Sequence, residues 1–215
     1  MKNIPSLLLA TAIMLASSHA ATIAEYNFTG GSLISSDLGT NWTTSDIDIT
    51  SNAAAGGNGS FDTTSLADAL TYNWLISDGN TITLTNFASF TIQADPGYNM
   101  TLTQISFRAY TPASPGANPT VYFRSNADGF ANNLVAQDLP KSQSGFLPYL
   151  ATISDTLGAS DVREFRLYFD SGSAGNANDI YIDDIQITGT ATAIPEPSAV
   201  LLGGIGTLAL LRRRR

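Results

Sequence analysis

Two long apolar stretches bracket a body built from short ones. The first runs from about Leu7 to Ala16 and the second from Ala199 to Leu211, and neither carries a charge. Between them, apolar runs of a few residues are separated by Gly, Asn, Asp, Ser and Pro, without a helical or longer repeat. Runs of this length bounded by turn formers predict strands. They fall at Thr22–Phe28, Asp46–Thr50, Thr81–Leu84, Ser89–Ala94, Met100–Tyr110, Thr120–Arg124, Leu134–Gln137, Leu147–Ile153, Arg163–Asp170 and Ile180–Thr188. Such spacing argues for an all-β sandwich. A single helical turn is expected over Ser65–Leu70, opened by a capping serine.

Alternation within the strands carries finer information. In REFRLYFD, Phe165, Leu167 and Phe169 share one face while Glu164, Arg166 and Tyr168 take the other, as in a half-buried strand. Two strands change parity midway. Ile180 and Ile182 are out of phase with Ile185 and Ile187, and Leu102 is out of phase with Ile105 and Phe107. Because side chains alternate with period two, a regular strand would turn half of each apolar set to solvent. A β-bulge is therefore predicted near Asp183–Asp184 and another near Thr103–Gln104.

Composition narrows the chemistry. A chain of 215 residues suits one domain plus processing segments, and 43% hydrophobic content is enough for a core. Cysteine is absent, which removes disulfides and thiol chemistry. The formal charge of −8 hides an asymmetry: Lys2 and Arg212–Arg215 lie at the two ends, so Ala21–Ile194 holds five basic residues against seventeen acidic ones, a net −12. Such a body repels phosphate backbones, and no nucleic-acid partner is expected.

The ends read as addresses. Lys2, the apolar run and Ser18-His19-Ala20 form the three-part pattern of a secretory signal peptide over residues 1–20, cut between Ala20 and Ala21. His19 is the only histidine, so the exported chain lacks one and cannot build a Ser-His-Asp or histidine–zinc site. Glycosidase chemistry needs only two carboxylates, but Glu25 and Glu164 are the body's only glutamates, and Glu164 sits beside Arg163 and Arg166 as a surface ion pair would. The body is therefore expected to be non-catalytic. At the other end, the thirteen residues Ala199–Leu211 make about 20 Å of helix at roughly 1.5 Å per residue, short for a bilayer core of ~30 Å. Counting from Ile194 gives eighteen, near the lower limit for a span. Arg212, Arg213, Arg214 and Arg215 form a basic stop that holds this end at the cytoplasmic face. A membrane helix is expected at about 198–211.

Pro195-Glu196-Pro197, the apolar helix and the arginine cluster together resemble the PEP-CTERM sorting signal of Gram-negative bacteria. That resemblance implies processing by an exosortase, anchoring in the inner membrane beforehand, and a final place at the cell surface or in the extracellular matrix. It also implies an association with exopolysaccharide. The sorting segment is assigned to residues 191–215 and the extracytoplasmic domain to 21–190.

A second resemblance covers the body. FTIQADPGYNMTLTQISFRAY, VYFRSNADGF and FRLYFDSGSAGNANDIYIDDIQITG are similar to jelly-roll sandwich domains found ahead of such signals, and YIDDIQITG to the last strand of carbohydrate-binding jelly rolls. In several of those, a calcium ion joins the first and last strands through a carboxylate from each. Carried over, Glu25 and Asp184 are the candidate ligands of a structural calcium, with Asp183 at the opposite parity. Trp42 and Trp74 are candidate stacking platforms for a polysaccharide, with a place in the core as the alternative for each. The expected function is a polysaccharide-associated structural or recognition module. The alternatives are a purely structural or adhesion protein, and a carboxylate-based glycoside hydrolase.

Overall fold

The computed structural model describes residues 20–36, 39–50, 60–62, 68–73, 84, 86–112, 118–141, 143–170, 179–195, 203–206 and 210–212. Twelve strands fill it: β1 (Ala21–Tyr26), β2 (Trp42–Thr44), β3 (Asp48–Thr50), β4 (Ser60–Asp62), β5 (Leu70–Asn73), β6 (Phe87–Ala94), β7 (Tyr98–Tyr110), β8 (Thr120–Ser125), β9 (Val135–Asp138), β10 (Leu147–Leu157), β11 (Val162–Asp170) and β12 (Ile180–Ala193). All pairings are antiparallel. Sheet A runs β10-β7-β12-β5-β4, with β1 also on β12; sheet B runs β2-β6-β11-β8-β9, with β3 also on β6. The all-β sandwich expected from the strand spacing is what forms.

The two sheets close on one aromatic and aliphatic core. Phe107 of sheet A meets Phe123 of sheet B at 5.4 Å between ring centroids, and Tyr26 of sheet A meets Phe90 of sheet B at 4.9 Å. Phe90 in turn stacks on Phe165 at 5.3 Å. Removing one such ring costs about 3–5 kcal/mol, since the cavity adds to the lost transfer energy. Beside the core, Arg163 of β11 grips Asp155 of β10 through Nε at 2.6 Å and Nη2 at 2.8 Å, tying one sheet to the other.

Both predicted bulges are present. Asp183 pairs with Arg108 and Gln186 with Ser106, so β12 holds one more residue than β7 over this interval. Asp184 there adopts a left-handed φ of 49°, and its backbone N–H donates to Asp183 Oδ1 at 2.8 Å. Thr188 pairs with Gln104 and Gly189 with Leu102, which leaves Thr103 as the extra residue of β7. The result is that Ile180, Ile182, Ile185 and Ile187 are all buried, as are Leu102, Ile105 and Phe107. At the second bulge the backbones come so close that a Cβ on Gly189 would collide with the Thr101 carbonyl oxygen.

Other expectations need correcting. Leu70 opens β5 rather than closing a helical turn, and Ser65, Leu66 and Ala67 lie outside the described residues. Thr81–Ile82–Thr83 lie outside them too. β10 runs to Leu157, and β12 runs past the assigned boundary at 190 to Ala193. Tyr168 faces outward as its parity requires, yet is only 1% exposed, because Phe87 and Arg124 cover it.

Candidate functional site

The outer face of sheet A carries a shallow groove of about 420 Å³ across its three longest strands. Ser106, Phe107 and Arg108 of β7, Pro148, Tyr149 and Leu150 of β10, and Asp184 and Gln186 of β12 line it. The Asp183–Asp184 bulge shapes this wall. Without the extra residue, the alternation that buries Ile185 and Ile187 would not also bury Ile180 and Ile182, and Asp184 would not stand beside Arg108. Arg108 Nη1 donates to Asp184 Oδ2 at 3.0 Å and lies 3.6 Å from Asp183 Oδ2. The Arg108 side chain remains 45% exposed, so this pair contributes little to stability. Burial pushes the Asp183 carboxyl above its ordinary value; the charges of Asp184 and Asp68 push the same way, while the Asp184 N–H and Arg108 oppose them.

An aromatic row continues from the groove. The Arg108 guanidinium lies 5.3 Å from the Phe146 ring centroid; Phe146 is 5.8 Å from Tyr110, and Tyr110 stacks on Tyr181 at 5.5 Å. Each of these rings is half-buried, with part of its surface open. On the far side, Gln186 Nε2 donates to Glu25 Oε1 at 2.7 Å. The face thus offers flat apolar rings beside a cation, carboxylates and an amide. Sugars call for that combination, since their C–H faces stack on rings and their hydroxyls need directed donors and acceptors.

The sequence-derived candidates fall unevenly around it. Glu25 and Asp184 do lie on this face, but each carboxylate already has partners. Asp184 accepts from Arg108, and Glu25 accepts from Gln186 and, at 3.3 Å, from the Ser36 hydroxyl. Calcium needs six to eight oxygens. Among the described residues no group of three or more acidic side chains is gathered to hold a metal. A calcium ion here would have to displace a guanidinium and an amide, so the pair as arranged does not fit the ion. Trp42 is half-buried against the core and donates its indole N–H to the Ile23 carbonyl at 2.8 Å, away from the groove. Trp74 lies outside the described residues. Arg108, Tyr181, Phe146 and Gln186 were not singled out from sequence. Outward parity on β7 and β12 marks three of them, but only once these strands are known to be neighbours.

Glu164 is the surface ion pair its neighbours suggested, with Arg166 Nε 2.7 Å from its Oε1. At the two chain ends, Ala20 and Ala21 lead into β1, where Ala21 pairs with Gly189 of β12. β12 itself runs without a break to Ala193, and the Ile194 N–H donates to the Gly97 carbonyl at 2.7 Å. Pro195 is exposed beyond it, residues 203–206 and 210–212 are helical, and Arg212 is exposed at their end. Glu196, Pro197 and Arg213–Arg215 lie outside the described residues. Among the described residues no helix is long and apolar enough to cross a membrane.

Residues 193–215 match the PEP-CTERM protein-sorting motif. The PEP-CTERM motif implies an exported, membrane-associated sorting substrate processed by exosortase. No curated protein matches the chain. Solved structures similar to it include a CBM4 module at 18% identity and TM-score 0.45, over 76% of this chain and 98% of that one. The K3 cleaved adhesin domain of Lys-gingipain from Porphyromonas gingivalis w83 follows at 15% identity and TM-score 0.40, over 79% and 99%. The CBM22-1 xylan-binding domain of Xyn10C from Paenibacillus barcinonensis matches at 11% identity and TM-score 0.37, over 83% and 100%. At such values these likenesses carry no conclusion about what this chain binds.

Proposed function

We propose that the body is a non-enzymatic recognition module of the cell surface or extracellular matrix, delivered by its PEP-CTERM tail, and that it binds polysaccharide on the outer face of sheet A. Before processing, the apolar segment at about 198–211 anchors it in the inner membrane. The observation that carries this reading is the juxtaposition of the Phe146–Tyr110–Tyr181 row with Arg108, Asp184 and Gln186 along one groove. A sugar ring laid on Tyr110 brings its hydroxyls to the guanidinium and carboxylate beside it. The same pairings favour binding over hydrolysis: Asp184 lies against Arg108 and Glu25 accepts from Gln186, so neither carboxylate stands free as one of a facing catalytic pair.

The test is affinity electrophoresis of Ala21–Ala193 against a polysaccharide panel that includes the producing organism's own exopolysaccharide. Retardation is expected, and Tyr110→Ala and Arg108→Ala should each weaken it about ten-fold, as loss of one stacking or charged contact of about 1.4 kcal/mol does. A second reading, structural packing through sheet edges, is favoured by one observation. β10 is an edge strand of eleven residues with Leu150 66% exposed. Absence of retardation on every gel would select it.

A further inference from the structure

The sorting motif begins inside a strand, and among the described residues that strand has an unpaired edge. Thr190–Ala193 of β12 pair with Thr101–Tyr98 of β7 on one side. On the other side β1 stops at Ala21, opposite Gly189, so among the described residues no strand lies beside Thr190–Ala193. The hydrogen-bond phase is fixed by Ile194, whose N–H donates to Gly97. Bonded and non-bonded pairs alternate along an antiparallel ladder. Thr192 and Thr190 therefore spend their backbone groups on β7, while the N–H and C=O of Ala191 and Ala193 point to the open edge.

We infer that this edge is where exosortase engages its substrate, pairing a strand of its own with Ala191 and Ala193 while the motif enters its active site. Three observations support that occupant. The matched motif starts at residue 193, within the edge itself. Only Ile194 and Pro195 separate Ala193 from Glu196, about 10 Å of fully extended chain, so whatever reads Glu196 stands against the end of the sandwich. Finally, Ala191 and Ala193 bear the smallest chiral side chains, and Thr192 and Ala193 are exposed, which leaves an approaching backbone unobstructed. Peeling β12 away from β7 to present an extended substrate would break the ladder bonds of Thr190, Thr192 and Ile194. Using the free edge breaks none.

Position-specific proline substitution separates the two edges of one strand. Proline is tolerated where the strand N–H faces solvent. Ala191→Pro removes a donor from the open edge and leaves the β7 ladder intact. In the full-length precursor, expressed in a host that makes the exosortase, conversion to the processed form should slow about ten-fold, the equivalent of one lost backbone hydrogen bond. The thermal midpoint of the body, with and without the substitution, reports whether the sheet survives. If Ala191→Pro proves unfolded, a six-residue Gly-Ser insertion between Ala193 and Ile194 decides the matter, because it leaves every strand intact while moving the motif off the edge. A similar slowing is expected. Wild-type conversion of folded Ala191→Pro, or of the insertion variant, would overturn the proposal and mean that the motif is read without the domain.

Discussion

The outer faces of the two sheets use the same residue types to opposite ends. On sheet B, the Arg166 guanidinium lies 4.2 Å from the Phe87 centroid and 3.8 Å from that of Phe130, and its Nε is 2.7 Å from Glu164. Arg124 donates from Nε to Asn133 Oδ1 at 2.7 Å and from Nη1 to the Phe130 carbonyl at 3.1 Å, with its guanidinium 5.6 Å from the Tyr168 ring. On sheet A, Arg108 keeps 45% of its side chain exposed and the Tyr110 row is half-buried. The difference is a loop. After β8, Asp128 collects the N–H groups of Ala131 and Asn132 at 3.1 and 3.0 Å, and Phe130 takes a left-handed φ of 64° that sends its ring back over the sheet. Arginines and aromatics make a surface for a partner only where their own neighbours leave part of them exposed, as Arg108 is at 45% against 26% for Arg166.

The largest effect that would break this contrast comes from sheet B. Arg166→Ala removes the cation between two rings and leaves Glu164 unpaired, and it should cost about 2 kcal/mol by urea denaturation while leaving polysaccharide retardation unchanged. On sheet A the balance reverses. Arg108→Ala should cost less than about 1 kcal/mol, the range of exposed ion pairs, while weakening retardation. Equal stability losses at the two arginines would show that the sheet A face is as self-satisfied as the other.

Strand-level structure was legible where alternation is strict. The out-of-phase isoleucines of β12 demanded a bulge because burial on one face leaves no other way to hide both pairs, and Ile185 and Ile187 are indeed buried with Ile180 and Ile182. The faces were less legible. Nothing in REFRLYFD says that Tyr168 will be roofed, since its cover comes from Phe87 and Arg124 on neighbouring strands. Nor does NWTT reveal that the Trp42 indole N–H will be spent on Ile23, nineteen residues back. Periodicity reports which way a side chain points, but not what the rest of the chain lays over it.

A smaller effect separates the faces by pH. Burial raises the Asp183 carboxyl above its ordinary value of 3.8, so the folded state takes up this proton before the unfolded state does. In the interval between the raised value and 3.8 the folded state binds more protons, and this carboxyl's contribution to stability must rise as pH falls. At neutral pH its charge is a cost. Asp183→Asn keeps an oxygen for the Asp184 N–H and removes the charge, so it should flatten that rise and leave the variant slightly more stable than wild type above the interval. Urea midpoints of the two proteins at stepped pH give the comparison. Identical profiles would mean that the bulge does not desolvate the carboxyl.

The smallest expected effect concerns calcium, for which sheet A holds the candidate carboxylates. Glu25 and Asp184 sit on one face, but Gln186 and Arg108 occupy their oxygens. A ligand that binds only the folded state raises the midpoint with its concentration, and an ion that must first displace a guanidinium loses much of that advantage. A thermal midpoint unmoved between chelator and millimolar calcium is therefore expected for the wild-type body. Arg108→Ala sharpens the test because it frees Asp184. A calcium-dependent rise confined to that variant would show that the arginine, rather than any lack of carboxylates, keeps the face metal-free. A rise already present in wild type would mean that Arg108 swings aside, and Glu25 and Asp184 would then regain the role the resemblance gave them.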